Sequence, residues 1–115
     1  MIRHGQYEDG AKDADRPLSA KGREQARLCG EYLKSHVFVD SKPTQFVHST
    51  MLRATETANI INSVLKVDCK VESCDLIREG APCPPEPEIK DWPGKPWNYY
   101  KDGPRIEAGF RRYIR

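Results

Sequence analysis

The sequence predicts an α/β chain in which parallel strands are joined by crossover helices. Three observations carry that reading. Short β-prone segments alternate with helical ones in the order strand, helix, strand, helix, strand. Each of the two helical segments places one apolar stripe at helical spacing. Seven of the nine prolines are gathered between Pro82 and Pro104, outside those elements.

Taken in order, only Met1 and Ile2 precede Arg3-His4-Gly5, so the first strand is predicted to be cut short. Ser19 caps a helix expected from Ala20 to Ser35, with Ala26, Cys29, Gly30 and Leu33 as its buried stripe. Gln45 to Ser49 is β-prone and runs into a second helix, Leu52 to Leu65, with Ala54, Ala58, Ile61 and Leu65 on one face. Lys70 to Cys74 reads as the next strand. The proline-rich stretch is expected to be an ordered or semi-ordered excursion, because each proline fixes φ and removes a donor. A last helix is predicted to begin near Pro104, capped by Asp102 or Gly103.

A chain of 115 residues is one domain or part of one. Leu, Ile, Val and Phe supply only about 19% of it, near the composition at which chains of high net charge stay disordered. Its net charge is only +2, so the expectation is a folded chain with an under-filled core and no field suited to nucleic acid. No stretch nears the roughly 20 apolar residues of a membrane span, and no basic segment followed by an apolar run opens the chain. A soluble chain without a targeting address is expected. Cys29, Cys69, Cys74 and Cys83 lack both C-x-x-C and paired Cys/His spacing, which predicts free thiols and no metal site.

Three short segments bear chemistry. Arg3-His4 at the carboxyl end of a sheet strand would lie where open α/β sheets bind ligands. There a neutral imidazole can attack phosphorus while the neighbouring cation draws in a phosphate; the bland alternative is a surface His beside an Arg. Arg53, in Ser49-Thr50-Met51-Leu52-Arg53-Ala54-Thr55-Glu56-Thr57, stands at a helix start, where its fork can hold phosphate oxygens; the alternative is an i, i+3 pair with Glu56 on a solvated face. Glu79, in Leu76-Ile77-Arg78-Glu79-Gly80, is placed on a loop, where a carboxyl group can protonate a leaving oxygen; the alternative is an exposed pair with Arg78.

Together these segments, with RHGQY, LSAKGREQARL, FVHSTMLRATETANII, LIREGAPCPPEP and YYKDGPRIEAGFRRYI, resemble the histidine phosphatase superfamily over essentially the whole chain. Within it the chain is most similar to mitochondrial serine/threonine protein phosphatases. The resemblance implies a phosphoglycerate-mutase-like three-layer α/β sandwich with a mostly parallel sheet. By it His4 is the phosphorylated nucleophile, Arg3 and Arg53 are the phosphate clamp and Glu79 is the proton donor. No metal and no cofactor are implied. The implied activity is hydrolysis of phosphoserine or phosphothreonine, or of phosphohistidine, on a phosphoprotein substrate. A small-molecule phosphatase or a phosphoglycerate mutase is the alternative, although the continuation Gln6-Tyr7-Glu8-Asp9 differs from that of the mutases.

The family's second active-site histidine has no counterpart, since His36 and His48 match neither its context nor its place. Residues 1–115 are therefore expected to be a partial domain, cut at both ends. Mitochondrial location, an anchor outside these residues and a homo-oligomeric full-length protein are implied by resemblance alone. A different class of reading makes Trp92, Trp97, Tyr99 and Tyr100, among prolines, a partner-binding surface, against closure over a neighbouring core. Arg105, Arg111, Arg112 and Arg115 are either a solvated helix face or a reader of acidic groups. The missing histidine predicts weak or absent turnover of p-nitrophenyl phosphate by this chain; turnover comparable with that of a complete family member contradicts it.

Overall fold

In the computed structural model, which describes residues 1–114, the chain divides into two units, Met1–Cys74 and the residues from Asp75 onward. At the centre of the first, β1 (Phe46–Ser49) pairs in parallel with β2 (Val71–Cys74), Phe46 opposite Val71 through Ser49 opposite Cys74. Parallel neighbours cannot be joined by a tight turn, and α2 (Leu52–Leu65) makes the crossover. α1 (Ala20–Tyr32) packs on α2, its first turn capped by Ser19, whose hydroxyl accepts from Gly22 N at 3.0 Å. Gly30 lets the two helices close, since a Cβ there would lie 3.0 Å from Val64. Leu18, Ala26, Met51, Ala58 and Ile61 form the core. The expected α/β class and parallel pairing hold.

Two first-unit expectations are corrected. Met1 and Ile2 form no strand; both are exposed, and the described residues contain a sheet of two strands. Two residues that turn at once into the Arg3-His4-Gly5 loop supply no ladder, and pairing nearby is limited to an isolated bridge between Tyr7 and Leu18. The first helix is α-helical only to Tyr32, after which Leu33–Val37 makes a π turn closed by Phe38 N to Leu33 O at 2.8 Å. Ser35 Oγ donates to Glu31 O at 2.8 Å, a side-chain bond that competes with the regular ladder.

In the second unit, the turn Asp75–Ile77 packs on α3 (Pro96–Tyr113). The helix begins eight residues before the predicted Pro104. Pro96 stands at the first turn, where a missing N–H costs nothing, and Asn98 caps the end by accepting from Lys95 N at 2.8 Å. Pro104 lies inside α3. An interior proline costs about 3 kcal/mol, and here the carbonyl that loses its donor belongs to Tyr100, an 85% exposed residue.

Asp102 is an anchor rather than a cap. Its Oδ2 accepts from Ala81 N at 2.9 Å and its Oδ1 from Arg105 Nη2 at 3.0 Å. Arg105 Nη1 reaches the carbonyls of Leu76 at 3.1 Å and Arg78 at 2.6 Å, fastening residues 76–81 to α3. At buried Gly109 the helix approaches residue 76 closely, since a Cβ there would stand 3.0 Å from Leu76 O. All four cysteines are free, and no helix among the described residues is long and apolar enough to cross a membrane.

The Ala81 amide, then Arg105, holds the Asp102 carboxyl below the ordinary aspartate value. A depressed carboxylate contributes stability above the unfolded value of about 3.9 and loses it as pH falls through the lower folded value. The Ala81 amide resonance should therefore titrate with a midpoint below about 3.9 and stay flat in Asp102→Asn. A midpoint at or above the ordinary value contradicts the anchor.

Candidate functional site

Residues 3–6 have no regular structure, so their placement comes from neighbours. Gly5 N donates to Thr57 Oγ1 of α2 at 3.1 Å, Gln6 N to Gln25 Oε1 of α1 at 2.9 Å, and Ser19 N to Gln6 O at 2.9 Å. Glycine is required on both sides of this contact: a Cβ on Gly5 would collide with the Gly22 carbonyl, and one on Gly22 with the Gln6 carbonyl. The loop thus lies directly on the first turn of α1.

Next to it, His4 Nδ1 is 2.8 Å from Gly5 O. A carbonyl can only accept, which assigns the proton to Nδ1 and leaves Nε2 with its lone pair. Arg53 Nε donates to that Nε2 at 3.3 Å. Arg53, the second residue of α2, is 1% exposed. Its Nη1 donates to Asp13 O at 2.9 Å and Asp13 Oδ1 at 3.2 Å, and its Nη2 to Asp13 Oδ2 at 3.3 Å. The Tyr7 ring covers the guanidinium at 4.7 Å and meets the His4 ring edge-on at 5.2 Å. Thr57 Oγ1 donates in turn to Arg53 O at 2.7 Å, so one hydroxyl ties the histidine loop to the arginine's own helix turn. Chemically this is a nucleophilic nitrogen held beside a fixed cation.

The structure therefore brings His4 and Arg53 together. Arg3 is exposed and borders the same open cleft as His4, with Gln25 and Cys29 beside it. Glu79 belongs to the second unit, on the loop after the Asp75–Ile77 turn, where its carbonyl accepts from Arg105 Nη2 at 3.4 Å. Gly80 follows because the Arg105–Asp102 pair fills the place of a Cβ. The solvated-face alternative for Arg53 is overturned by its burial; Glu56 instead accepts from Leu18 N and Arg23 Nη2, each at 2.6 Å. Arg78 pairs with Asp75 at 3.4 Å.

The remaining candidates separate. His36 stacks on Tyr32 at 4.5 Å, and half-buried His48 has Nδ1 2.8 Å from Ser49 O. Trp97 and Tyr100 are 63% and 85% exposed, whereas the Tyr99 hydroxyl donates to Gly94 O at 3.3 Å. Arg105 is mostly buried, its guanidinium engaged by Asp102 and the Arg78 carbonyl, Arg111 pairs with Glu107 at 2.7 Å, and Arg112 lies over Tyr113. Arg115 lies outside the described residues. Among the described residues no three His, Cys, Asp or Glu side chains are grouped to hold a metal ion.

Tyr7, Asp13 and Thr57 were not singled out from sequence. Thr57 carries a readable signal, lying one helical turn after Arg53; Asp13 carries none, since its role depends on a loop 40 residues from its partner.

A loop histidine beside a buried arginine on a parallel α/β layer is the arrangement found here, and the chain belongs to the histidine phosphatase superfamily (branch 1), matched over residues 1–82. It is 50% identical over 115 residues to serine/threonine-protein phosphatase PGAM5, mitochondrial, of Homo sapiens, covering 99% of this chain and 38% of that one. To the protein of the same name in Xenopus tropicalis it is 52% identical over 116 residues, covering 99% and 40%. It thus spans about two-fifths of the length of the curated relatives it matches. Among solved structures it is similar to a phosphoglycerate mutase from Plasmodium falciparum (TM-score 0.65, 30% identity, 84% of this chain and 54% of that one). It is also similar to the protein histidine phosphatase SixA complexed with tungstate (TM-score 0.59, 27% identity, 66% and 47%).

Thr57 is 6% exposed, and Thr57→Val leaves Gly5 N–H without its acceptor. Urea unfolding should show a loss of about 1–3 kcal/mol. An unchanged midpoint means the tether carries no weight.

Proposed function

We propose that this chain carries the nucleophile and phosphate-binding elements of a phosphoric monoester hydrolase that removes phosphate from phosphoserine, phosphothreonine or phosphohistidine on proteins. The observation that carries this reading is the placement of His4, with Nδ1 2.8 Å from Gly5 O and Nε2 3.3 Å from Arg53 Nε, which makes Nε2 the attacking atom beside the guanidinium. In the first step His4 Nε2 forms a bond to phosphorus in line with the breaking P–O bond, and the Glu79 carboxyl protonates the departing alcohol. In the second, water attacks phosphorus, Glu79 takes its proton, and the P–N bond breaks to release phosphate and neutral His4. Arg53 and Arg3 neutralise the phosphoryl oxygens throughout. The carboxylate role of Glu79 and the clamp role of Arg3 rest on the family resemblance.

The relatives' names support protein substrates and the mitochondrion as the compartment, with a phosphoprotein as the partner. A homo-oligomer and an anchor outside these residues belong to the same reading of the full-length protein. A second reading, action on a small phosphorylated metabolite, is favoured by the likeness to the Plasmodium mutase, and a phosphosugar panel set against a phosphopeptide panel separates the two.

Rapid quench of the chain with a radiolabelled phosphopeptide should trap one acid-labile, base-stable phosphoryl group per chain. His4→Ala should abolish it, Arg53→Ala should reduce it at least about 100-fold, and Glu79→Gln should slow its formation from poor leaving groups most. Label that survives His4→Ala removes His4 from the nucleophile's role.

A further inference from the structure

The fork of Arg53 already holds an anion. Its Nη1 donates to Asp13 Oδ1 at 3.2 Å and its Nη2 to Asp13 Oδ2 at 3.3 Å, so two carboxylate oxygens lie across the two terminal nitrogens in the paired geometry a phosphoryl group uses. The partners differ in freedom: the Arg53 side chain is 2% exposed and the Asp13 side chain 57%. Asp13 stands on the short turn Asp13–Asp15, which is tied to Arg53 separately through the Asp13 backbone carbonyl at 2.9 Å. The carboxylate can therefore leave by rotating its side chain while the turn stays in place. Arg16 Nη1, 3.7 Å from Oδ1, offers the displaced carboxylate a second cation.

Building on the reading that Arg53 receives the phosphoryl group, we infer that Asp13 sets the site's affinity for phosphoryl ligands, its carboxylate being an internal stand-in that must leave the fork before a ligand engages it. Two physical reasons support the device. A buried guanidinium left without a counter-charge is costly, so something anionic must occupy the fork at rest. An internal occupant also lowers apparent ligand affinity by the fraction of time the fork is closed. A phosphomonoester dianion carries more charge than the carboxylate and displaces it by mass action.

Titration calorimetry of inorganic phosphate and of tungstate into the native chain, Asp13→Asn, Arg53→Lys and Asp13→Asn/Arg53→Lys tests this. Asp13→Asn keeps the backbone carbonyl and removes the charge, and should bind both oxyanions roughly three- to tenfold more tightly than the native chain. A purely structural Asp13 predicts the opposite sign, because a loosened turn weakens the site; equal or weaker binding overturns the proposal. Arg53→Lys should weaken binding in both backgrounds. If it does not, Arg53 is not the phosphate ligand, and the reading beneath fails whatever Asp13 does; phosphate bound by neither the native chain nor Asp13→Asn overturns both. Should Asp13→Asn misfold, the carboxyl carbon-13 resonance of Asp13 in the native chain must move as phosphate saturates the site, and a resonance that stays still overturns the proposal.

Discussion

A guanidinium buried to 1% exposure constrains the first unit, because water is not there to satisfy it. Every group near Arg53 can be understood as an answer to that constraint. Asp13 supplies the counter-charge across 40 residues of chain, the Tyr7 ring covers the face, and His4 Nε2 accepts at the edge. The His4 tautomer then follows, since an imidazole nitrogen that receives a donor from arginine must be the unprotonated one. Burying the arginine thus prepares the histidine. The same burial and its three bonds to Asp13 keep the cation in a fixed orientation.

The second unit uses the same residue type to another end. Arg105 spends its donors on backbone carbonyls of residues 76 and 78 and on Asp102, so its charge is consumed in holding a loop. The two arginines differ in what faces them: Arg105 meets carbonyls and a carboxylate that is 13% exposed, whereas Arg53 meets a carboxylate that is 57% exposed on a short turn.

Much of this was legible in the sequence where local rules decide. Ser19 before Ala20, the Ala26/Gly30 stripe, the helix from Leu52 and the strand ending at Cys74 all follow from capping and periodicity, and the structure keeps them. His4 and Arg53 were readable because a strand-to-helix turn gives an arginine a direction. What was not legible depends on long-range contacts. Asp13 is one acidic residue in an acidic stretch until Arg53 arrives beside it. Helical structure from Pro96 was hidden by prolines, whose local preference was outweighed by the Asp102 and Arg105 anchors within the same helix. Met1 and Ile2 read as a strand remnant only by position, and two residues cannot make a ladder without a neighbour.

The contact between Gly5 and Gly22 is made of backbone alone. Side-chain contacts soften gradually on heating as rotamers begin to exchange, whereas a backbone contact has no rotamers to lend. The geometry around His4 therefore rests on the first turn of α1 through backbone and on α2 through the Thr57 and Arg53 side chains, so loosening either helix is expected to disturb it. A substitution at Gly22 would thus be felt at the histidine although it lies on another element and touches no part of the imidazole.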